Sequence, residues 1–266
     1  MDLTISEHRK IIKVVQENID IDLSVFARAT LKSRLLHTME VFEYKNAEEL
    51  TDKIQKGTIL KDDFLSIFSV PYTEMFRDPA MWRKLKIELI SKIKDYKSYK
   101  IFIPACTTGD EYYTLLVLLN ELNLIDNVKI IISSWSDKTI DLIKQVKIPP
   151  KKIELNKANY KRFEGKEGLD KYFENKFLKS LQRNTDFNKI NILKEKLPIN
   201  QDLVIFRNKF IYLTEEYQNI ILNNIYDCLK VGGKLIIGIK ENIFLNKSIK
   251  DKFNEECDTE RIYKKK

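Results

Sequence analysis

Apolar positions in the first 70 residues recur every three or four residues, which is the period of amphipathic helices. Asn46 followed by Glu49 has the spacing of a capping box, and Gly57 supplies a helix stop. The pattern predicts four helices, with apolar stripes at Ile11–Ile19, Phe26–Met39, Leu50–Ile54 and Leu60–Phe68. We therefore expect a small all-α N-terminal domain over residues 1–70.

A different pattern begins near residue 97, where short unbroken apolar runs alternate with helical stretches. Such runs are typical of parallel strands that are buried on both faces of a sheet. The predicted strands are Ile101–Ile103, Val128–Ser133, Leu203–Phe206 and Lys234–Ile239, with Arg261–Tyr263 as a last edge strand. The predicted helices among them are Thr139–Val146, Thr214–Leu229 and one that begins at Asp110. This alternation indicates an α/β fold with a doubly wound, Rossmann-like sheet and helices on both faces.

Residues 71–96 are expected to be a linker and a long helix between the two units. Pro71 opposes helix at the start of this segment, and Asp78-Pro79 has the sequence of an N-cap and a first helical residue. Residues 151–200 are the least regular part of the chain, yet they are rich in aromatic side chains that need a surface to cover. We expect a small inserted lobe there, within a domain of residues 97–266.

Composition narrows the possible functions. A chain of 266 residues with 43% hydrophobic content can form one large α/β domain with a small appendage. Three widely spaced cysteines indicate reduced thiols rather than a zinc site, and no apolar run approaches the roughly 20 residues that cross a bilayer. We expect a cytoplasmic monomer with no metal and no membrane insertion. The net charge of +8 permits an acidic partner, but no aromatic-interleaved basic motif accompanies it, so we do not expect nucleic-acid binding.

The segment from Lys100 to Asn120 has the pattern of a nucleotide-type binding loop. A short strand leads into the small residues Cys106–Gly109, where a ligand could approach the backbone closely, and Gly109 is free to take a positive φ. Asp110 and Glu111 then open a helix, and acids at that place favour hydroxyls or positive charge over phosphate. A simpler interpretation stays open, in which Asp110 is an N-cap and Glu111 complements the helix dipole.

Five short motifs follow one another at compatible spacing. They are Thr73–Asp78, Thr108–Glu111, Tyr172-Phe173, Asn191–Leu193 and Phe206–Tyr212. The first is similar to T-x-F-F-R-[DE], the second to S-T-G-E-E, the fourth to N-L-L and the last to C-R-N-x-x-I-Y. Together with the helical region ahead of them, these motifs resemble the chemotaxis receptor methyltransferases of the CheR type. The likeness covers nearly the whole chain.

The resemblance implies an S-adenosylmethionine-dependent protein-glutamate O-methyltransferase. Its cofactor would be S-adenosyl-L-methionine, with S-adenosyl-L-homocysteine as the product, and its substrate a glutamate of a chemoreceptor cytoplasmic domain or of another protein. Arg77 would fix the acceptor carboxylate, and Tyr212 would line the same pocket. Without the resemblance, the simpler interpretations are an ordinary ion pair of the linker for Arg77 and an amphipathic core tyrosine for Tyr212. The residues implied at the cofactor are Thr73, Arg77, Glu111, Trp135, Asn191, Ile192 and Asn208.

Several positions depart from the family pattern. Pro71 replaces an asparagine, Ala105 replaces a usual glycine or small residue, and Trp135 stands where the family has the acid that takes the ribose hydroxyls. Of the family's G-x-S-E, Glu241 is kept, whereas Lys240 stands in place of the serine. Two hypotheses therefore stand: an active methyltransferase, or a catalytically impaired relative that acts as a receptor- or protein-binding module. A nucleic-acid methyltransferase finds little support, because no N-P-P-Y-type motif is present.

The second predicted helix also carries a basic face. Arg28, Lys32 and Arg34 lie in the region that resembles the family's receptor-recognising unit. Taken alone, these residues favour an ordinary solvated helix face. With the resemblance, we expect these side chains to present positive charge to an acidic helical bundle of the partner.

Overall fold

A computed structural model describes residues 3–69, 73–93, 98–166, 168–245 and 249–266. Its N-terminal part contains the four predicted helices, α1 (Ile5–Ile19), α2 (Arg28–Val41), α3 (Ala47–Gln55) and α4 (Lys61–Phe68). Asn46 caps α3 by accepting the Glu49 backbone N–H at 2.9 Å, as the sequence predicts. Thr4 and Glu7 form a capping box at the start of α1. The side chains that these helices turn inward form one apolar core of their own.

A long helix, α5 (Pro79–Ile93), follows and begins at the predicted proline. Pro71 and the residues at the predicted end of this helix lie outside the described part of the chain. Strands and helices then alternate: β1 (Tyr99–Ile103), α6 (Asp110–Glu121), β2 (Val128–Ser134), α7 (Asp137–Gln145), α8 (Ile153–Phe163), α9 (Asp170–Phe173), α10 (Asn175–Ser180), β3 (Thr185–Lys189), β4 (Gln201–Ile205), α11 (Glu215–Cys228), β5 (Leu229–Ile236), β6 (Phe253–Cys257) and β7 (Ile262–Lys265).

The seven strands form one sheet in the order β3-β2-β1-β4-β5-β7-β6. The neighbouring strands from β3 to β5 pair in parallel, and β7 is antiparallel to both of its neighbours. Reversal of the strand order at β1 and β4 creates a switch point, and ligands of such sheets bind beyond the carboxyl ends of the strands there. The prediction of a doubly wound, Rossmann-like sheet is confirmed.

Three details of the sheet differ from the sequence-based expectation. The edge strands β3 and β6 were not predicted, because their polar, half-exposed residues lack the apolar run of a buried strand. The strand predicted at Arg261–Tyr263 is present as β7, but it lies between β5 and β6 rather than at the edge. Strand β5 runs over Leu229–Ile236 rather than the predicted Lys234–Ile239, and Gly232 takes its positive φ inside the strand.

Two apolar layers cover the two faces of the sheet. One joins α5, α6 and the aromatic side chains of residues 151–200, among them Tyr160, Phe163 and Tyr172. These aromatic side chains do find a surface to cover, and it is the main core. The other layer lies between β4, β5 and α11. None of the helices in the described ranges is long and apolar enough to cross a membrane.

The N-terminal helices are joined to the sheet domain by backbone pairing. Phe26 and Leu213 form an isolated antiparallel bridge. The Ala27 N–H donates to the Tyr212 carbonyl at 2.8 Å, and the Thr214 N–H donates to the Val25 carbonyl at 3.0 Å. A segment of the small domain is thereby fixed beside Tyr212, one of the candidate site residues.

Candidate functional site

The loop after β1 has the backbone shape that a close ligand approach needs. Gly109 takes a φ of 83°, as predicted, and Ala105 takes a φ of 50°, in the left-handed region where a side chain is strained. The Cys106 N–H donates to the Ser133 carbonyl at 2.8 Å and ties the loop to the end of β2. Burial raises the pKa of the Cys106 thiol to about 12, so this side chain is neutral and not a nucleophile at physiological pH.

Asp110 is not an N-cap. The cap of α6 is Gly109, and Asp110 is the first helical residue. Its buried carboxylate accepts hydrogen bonds from Thr108 Oγ1 at 2.6 Å, from Lys152 Nζ at 2.9 Å and from Thr73 Oγ1. Lys152 also donates to the Thr73 carbonyl at 2.6 Å. Asp110 therefore holds the segment around Thr73 against the binding loop rather than offering its charge to a ligand.

A pocket opens at the carboxyl ends of β1, β2, β3 and β4, where such folds bind their ligands. It encloses about 950 Å³ when the space open to solvent is included. Most of the wall is apolar, with side chains from both domains: Val25, Phe26, Ile190, Leu193, Phe206, Leu213 and Ile221. The N-terminal domain thus supplies part of the pocket wall.

Six of the eight residues predicted for the site line this pocket. They are Thr73, Trp135, Asn191, Ile192, Asn208 and Tyr212. They come from the segment before α5 and from the segments that follow β2, β3 and β4, which the sheet brings to one edge. Arg77 and Glu111 do not line the pocket itself, but both contact Arg207, which does.

Trp135, directly after β2, forms a wall of the pocket and also contacts the N-terminal domain. Its indole Nε1 donates to Ser69 Oγ at 3.2 Å, and its ring meets that of Phe26 edge-on with 6.2 Å between centroids. Phe26 in turn packs edge-on against Phe68, 5.2 Å away. The tryptophan that replaces the family's acid is therefore a contact between the sheet and the N-terminal helices.

Arg207 contacts the linker before α5 and the first turn of α6, and it also lines the pocket. Its side chain is fully buried, donates to Asp78 Oδ2 at 2.6 Å and to the Arg77 carbonyl at 3.1 Å, and lies 3.6 Å from Glu111 Oε1. The Arg77 side chain pairs with Glu74 at 3.8 Å, and burial raises the pKa of that glutamate. Arg77 is thus connected to the pocket through its backbone carbonyl, which accepts a hydrogen bond from Arg207.

Asn208 is held in a left-handed conformation, with a φ of 54°, at the turn that follows β4. Glu241 fixes this turn, because its buried carboxylate accepts backbone N–H groups of Gly238 at 2.6 Å, Asn208 at 3.0 Å and Ile211 at 3.2 Å. Burial raises the pKa of Glu241, and the three donors oppose that shift. The glutamate kept from the family's G-x-S-E therefore positions both Asn208 and the segment that leads to Tyr212.

The loop after β3 presents Asn191 and Ile192 to the same pocket. Asn191 Oδ1 accepts the Leu193 N–H at 3.0 Å, and the Asn191 N–H donates to Glu195 Oε1 at 2.7 Å. Ile192 is buried, and its carbonyl accepts from Asn224 Nδ2 at 2.8 Å. A local turn and a contact to α11 thus fix an amide and an apolar side chain where a flat heterocycle could lie.

A family model described as CheR methyltransferase, SAM binding domain, matches residues 72–259. The chain belongs to the CheR methyltransferase family. The match covers all five motifs from Thr73 to Tyr212, and it confirms the predicted S-adenosylmethionine-dependent methyltransferase and its cofactor class.

Relatives of the CheR family align with almost the whole chain. A chemotaxis protein methyltransferase of Borreliella burgdorferi is 27% identical over 265 aligned positions, covering 94% of this chain and 92% of the relative. One of Listeria innocua is 22% identical over 233 positions, covering 87% and 88%. Among solved structures, the N-methyltransferase NodS of Bradyrhizobium japonicum, in complex with S-adenosyl-l-homocysteine, has a TM-score of 0.41 at 11% identity and covers 72% of this chain and 88% of that chain.

Two positioning residues of this CheR-family site were not predicted as site residues. Arg207 and Glu241 both stand in family motifs, so the motifs themselves were the available signal. Their roles depend on contacts to Asp78 and to the turn at Asn208, which are distant in sequence. Spacing along the chain could not show those contacts.

The predicted docking face on α2 is wrong in one of its three residues. Arg34 is buried, and its guanidinium donates to the carbonyls of Phe68 and Ser69, both at 2.8 Å. It satisfies the open carbonyls at the C-terminus of α4 and is not available to a partner. Arg28 is exposed and Lys32 is half-buried.

Proposed function

We propose that this protein transfers the methyl group of S-adenosylmethionine to a glutamate side chain of a chemoreceptor cytoplasmic domain. The pocket carries this proposal, because it gathers six of the residues implied by the family motifs at the switch point of the sheet. Membership of the CheR family and the names of the relatives, chemotaxis protein methyltransferases, support the substrate class. The methyl donor would leave as S-adenosylhomocysteine, and we expect a monomer that uses neither metal nor nucleic acid.

The pocket's donor set fits an adenosine with an amino-acid tail. Ile192 and the neighbouring apolar wall suit the adenine face, and Asn191 and Asn208 offer amide groups at its edge. Thr73 and Glu111 lie toward the binding loop, where the polar tail would end. When bound, the cofactor supplies an electrophilic methyl group on a sulfonium.

On the acceptor side, Arg77 and Tyr212 would hold and line the place of the glutamate. A glutamate with an ordinary pKa of about 4.3 is ionised at neutral pH, so no general base is needed. The protein's task is to align the carboxylate oxygen with the methyl group and to exclude water, which can lower the barrier by roughly 7–11 kcal/mol. The bridge between Tyr212 and Ala27 makes the N-terminal domain part of that alignment.

Trp135 is the observation that favours the alternative, a catalytically impaired receptor-binding module. A carboxylate that would accept two ribose hydroxyls is replaced by an indole whose N–H is used by Ser69. The ring forms one wall of the pocket and leaves the space in front of it open. This arrangement supports weakened cofactor binding rather than its loss.

Calorimetric titration with S-adenosylhomocysteine, followed by a transfer assay on a receptor cytoplasmic fragment, tests the proposal. We expect binding in the micromolar to millimolar range, because losing a charge-assisted hydrogen-bond pair costs about 1.5–3 kcal/mol, or roughly one to two decades of affinity. Arg77→Ala should abolish transfer while leaving the fold intact. No heat at millimolar ligand would refute the enzyme, and a normal rate for Arg77→Ala would place that residue outside the acceptor site.

A further inference from the structure

Lys209 is a cation at the edge of the pocket, and it has no part in the cofactor and acceptor contacts of the proposed function. It lines the pocket, and its side chain is only 18% exposed. Its Nζ lies 3.2 Å from Glu111 Oε2 and 5.1 Å from the centre of the Phe206 ring. The family pattern C-R-N-x-x-I-Y leaves this position open.

The charged side chains around Lys209 form pairs of opposite charge. Asp78 is held by Arg207 at 2.6 Å, and Glu111 faces Lys209 at 3.2 Å. The Glu111–Lys209 pair therefore offers one negative and one positive group side by side. A zwitterionic α-amino acid matches such a pair, since its ammonium can take the glutamate and its carboxylate the lysine without leaving a net buried charge.

A second observation points to an anion at this place. Arg207 is fully buried, yet its Nε and Nη1 atoms have no hydrogen-bond acceptor within the described residues. Buried guanidinium donors are normally satisfied, and an unsatisfied one costs free energy. Glu111 Oε1 lies 3.6 Å from Nη1, beyond hydrogen-bond distance, and Arg207 lines the pocket beside Lys209, so a carboxylate bound by Lys209 would lie near a cation that is not fully hydrogen-bonded.

From these contacts we infer that Lys209 binds the carboxylate of the cofactor's methionyl group, with Glu111 taking the ammonium. This inference rests on the proposed function, since it needs S-adenosylmethionine in the pocket. Lys209 donates up to three hydrogen bonds from a flexible stem, so it can turn from Glu111 to the carboxylate without moving the backbone. The pair would then select ligands that carry the amino-acid tail.

Two ligands that share the adenosine and the thioether separate the tail from the rest of the cofactor. S-adenosylhomocysteine carries the amino acid, and 5′-methylthioadenosine carries a methyl group in its place. Both are titrated by calorimetry into the wild type, Lys209→Met and Lys209→Arg. Lys84→Met, an exposed position on α5, makes the same change of charge away from the pocket.

We expect Lys209→Met to weaken S-adenosylhomocysteine binding about tenfold or more and to leave methylthioadenosine within twofold of wild type. Lys209→Arg should restore most of the loss, and Lys84→Met should change neither ligand. Equal weakening of both ligands, or no weakening of either, would overturn the inference. So would an unchanged S-adenosylhomocysteine affinity with a raised KM for the receptor fragment, because the carboxylate would then be the acceptor's.

The wild-type titrations distinguish a failure of the proposed function from a failure of the role of Lys209. A wild type that binds neither ligand would refute the proposed function, and the role of Lys209 would fall with it. A wild type that binds both ligands, with a selectivity that Lys209→Met does not change, would refute only the role of Lys209.

Discussion

Trp135 joins the N-terminal helices to the candidate pocket, and removing its ring should therefore destabilise the protein. Trp135→Ala loses the hydrogen bond to Ser69 Oγ at 3.2 Å and the edge-on contact with Phe26 at 6.2 Å. Those two interactions contribute about 0.5–1.5 kcal/mol each. Truncating a fully buried aromatic ring costs about 3–5 kcal/mol, and Trp135 is only half-buried. We expect a loss of about 2–4 kcal/mol in the free energy of unfolding.

Urea denaturation followed by circular dichroism measures this loss, and a double-mutant cycle isolates the hydrogen bond. Trp135→Phe keeps a ring against Phe26 but removes the donor, and Ser69→Ala removes the acceptor. If the bond contributes, the double variant should be more stable than the sum of the two single losses by about 0.5–1.5 kcal/mol. An unfolding free energy for Trp135→Ala within about 0.5 kcal/mol of wild type would contradict the joining role.

The same position separates stability from cofactor affinity. Trp135→Asp restores the family's acid, so S-adenosylhomocysteine should bind roughly ten- to a hundredfold more tightly. The new carboxylate also faces the ring of Phe26, which lowers stability. Affinity should therefore rise while the melting temperature falls. Weaker binding by a variant that remains folded at the assay temperature would show that the indole itself holds the ligand.

Three further changes test single contacts. Gly238→Ala would place a Cβ 2.5 Å from Asn208 Oδ1, so we expect a loss of about 1–3 kcal/mol in stability and weaker S-adenosylhomocysteine binding by calorimetry; unchanged affinity would remove Asn208 from the site. Ala105→Gly should raise the unfolding free energy by about 1 kcal/mol, since Ala105 has a φ of 50°, and a loss in urea denaturation would contradict strain there. Arg34→Met should lower the melting temperature, because it removes hydrogen bonds to the end of α4, whereas Arg28→Glu should leave it unchanged but weaken receptor pull-down; equal melting temperatures would restore Arg34 to the surface.

The sequence alone was sufficient where a residue's environment is local. The helix cap at Asn46 and the positive φ of Gly109 both follow from neighbouring residues, and both are present. Buried parallel strands have unbroken apolar runs, so the ends of β1, β2 and β4 were predicted to within two residues. The motif order was sufficient for the family, because motifs at fixed spacing mark a common fold.

Edge strands and interior charges were beyond such patterns. Strand β3 has a polar and half-exposed sequence, and only its pairing with β2 makes it a strand. Arg34 has the sequence context of a solvent-exposed helix face. It is nevertheless buried, because it donates hydrogen bonds to the carbonyls at the end of α4. In both places a partner distant in sequence decides the conformation, and a single-sequence pattern contains no distance between such partners.

The candidate site divides along the same line. The sequence by itself determined which residue types are present for the chemistry: an arginine, two asparagines, an acid at the start of α6 and an indole in place of an acid. Only the tertiary structure decided that Trp135 binds the N-terminal domain through Ser69, that Arg207 connects Asp78 to Glu111, and that Lys209 faces the pocket. The physical reason is that hydrogen bonds and ion pairs act over about 3–4 Å. Only the folded chain brings together segments that are 66 residues apart, as for Trp135 and Ser69, or 129 residues apart, as for Arg207 and Asp78.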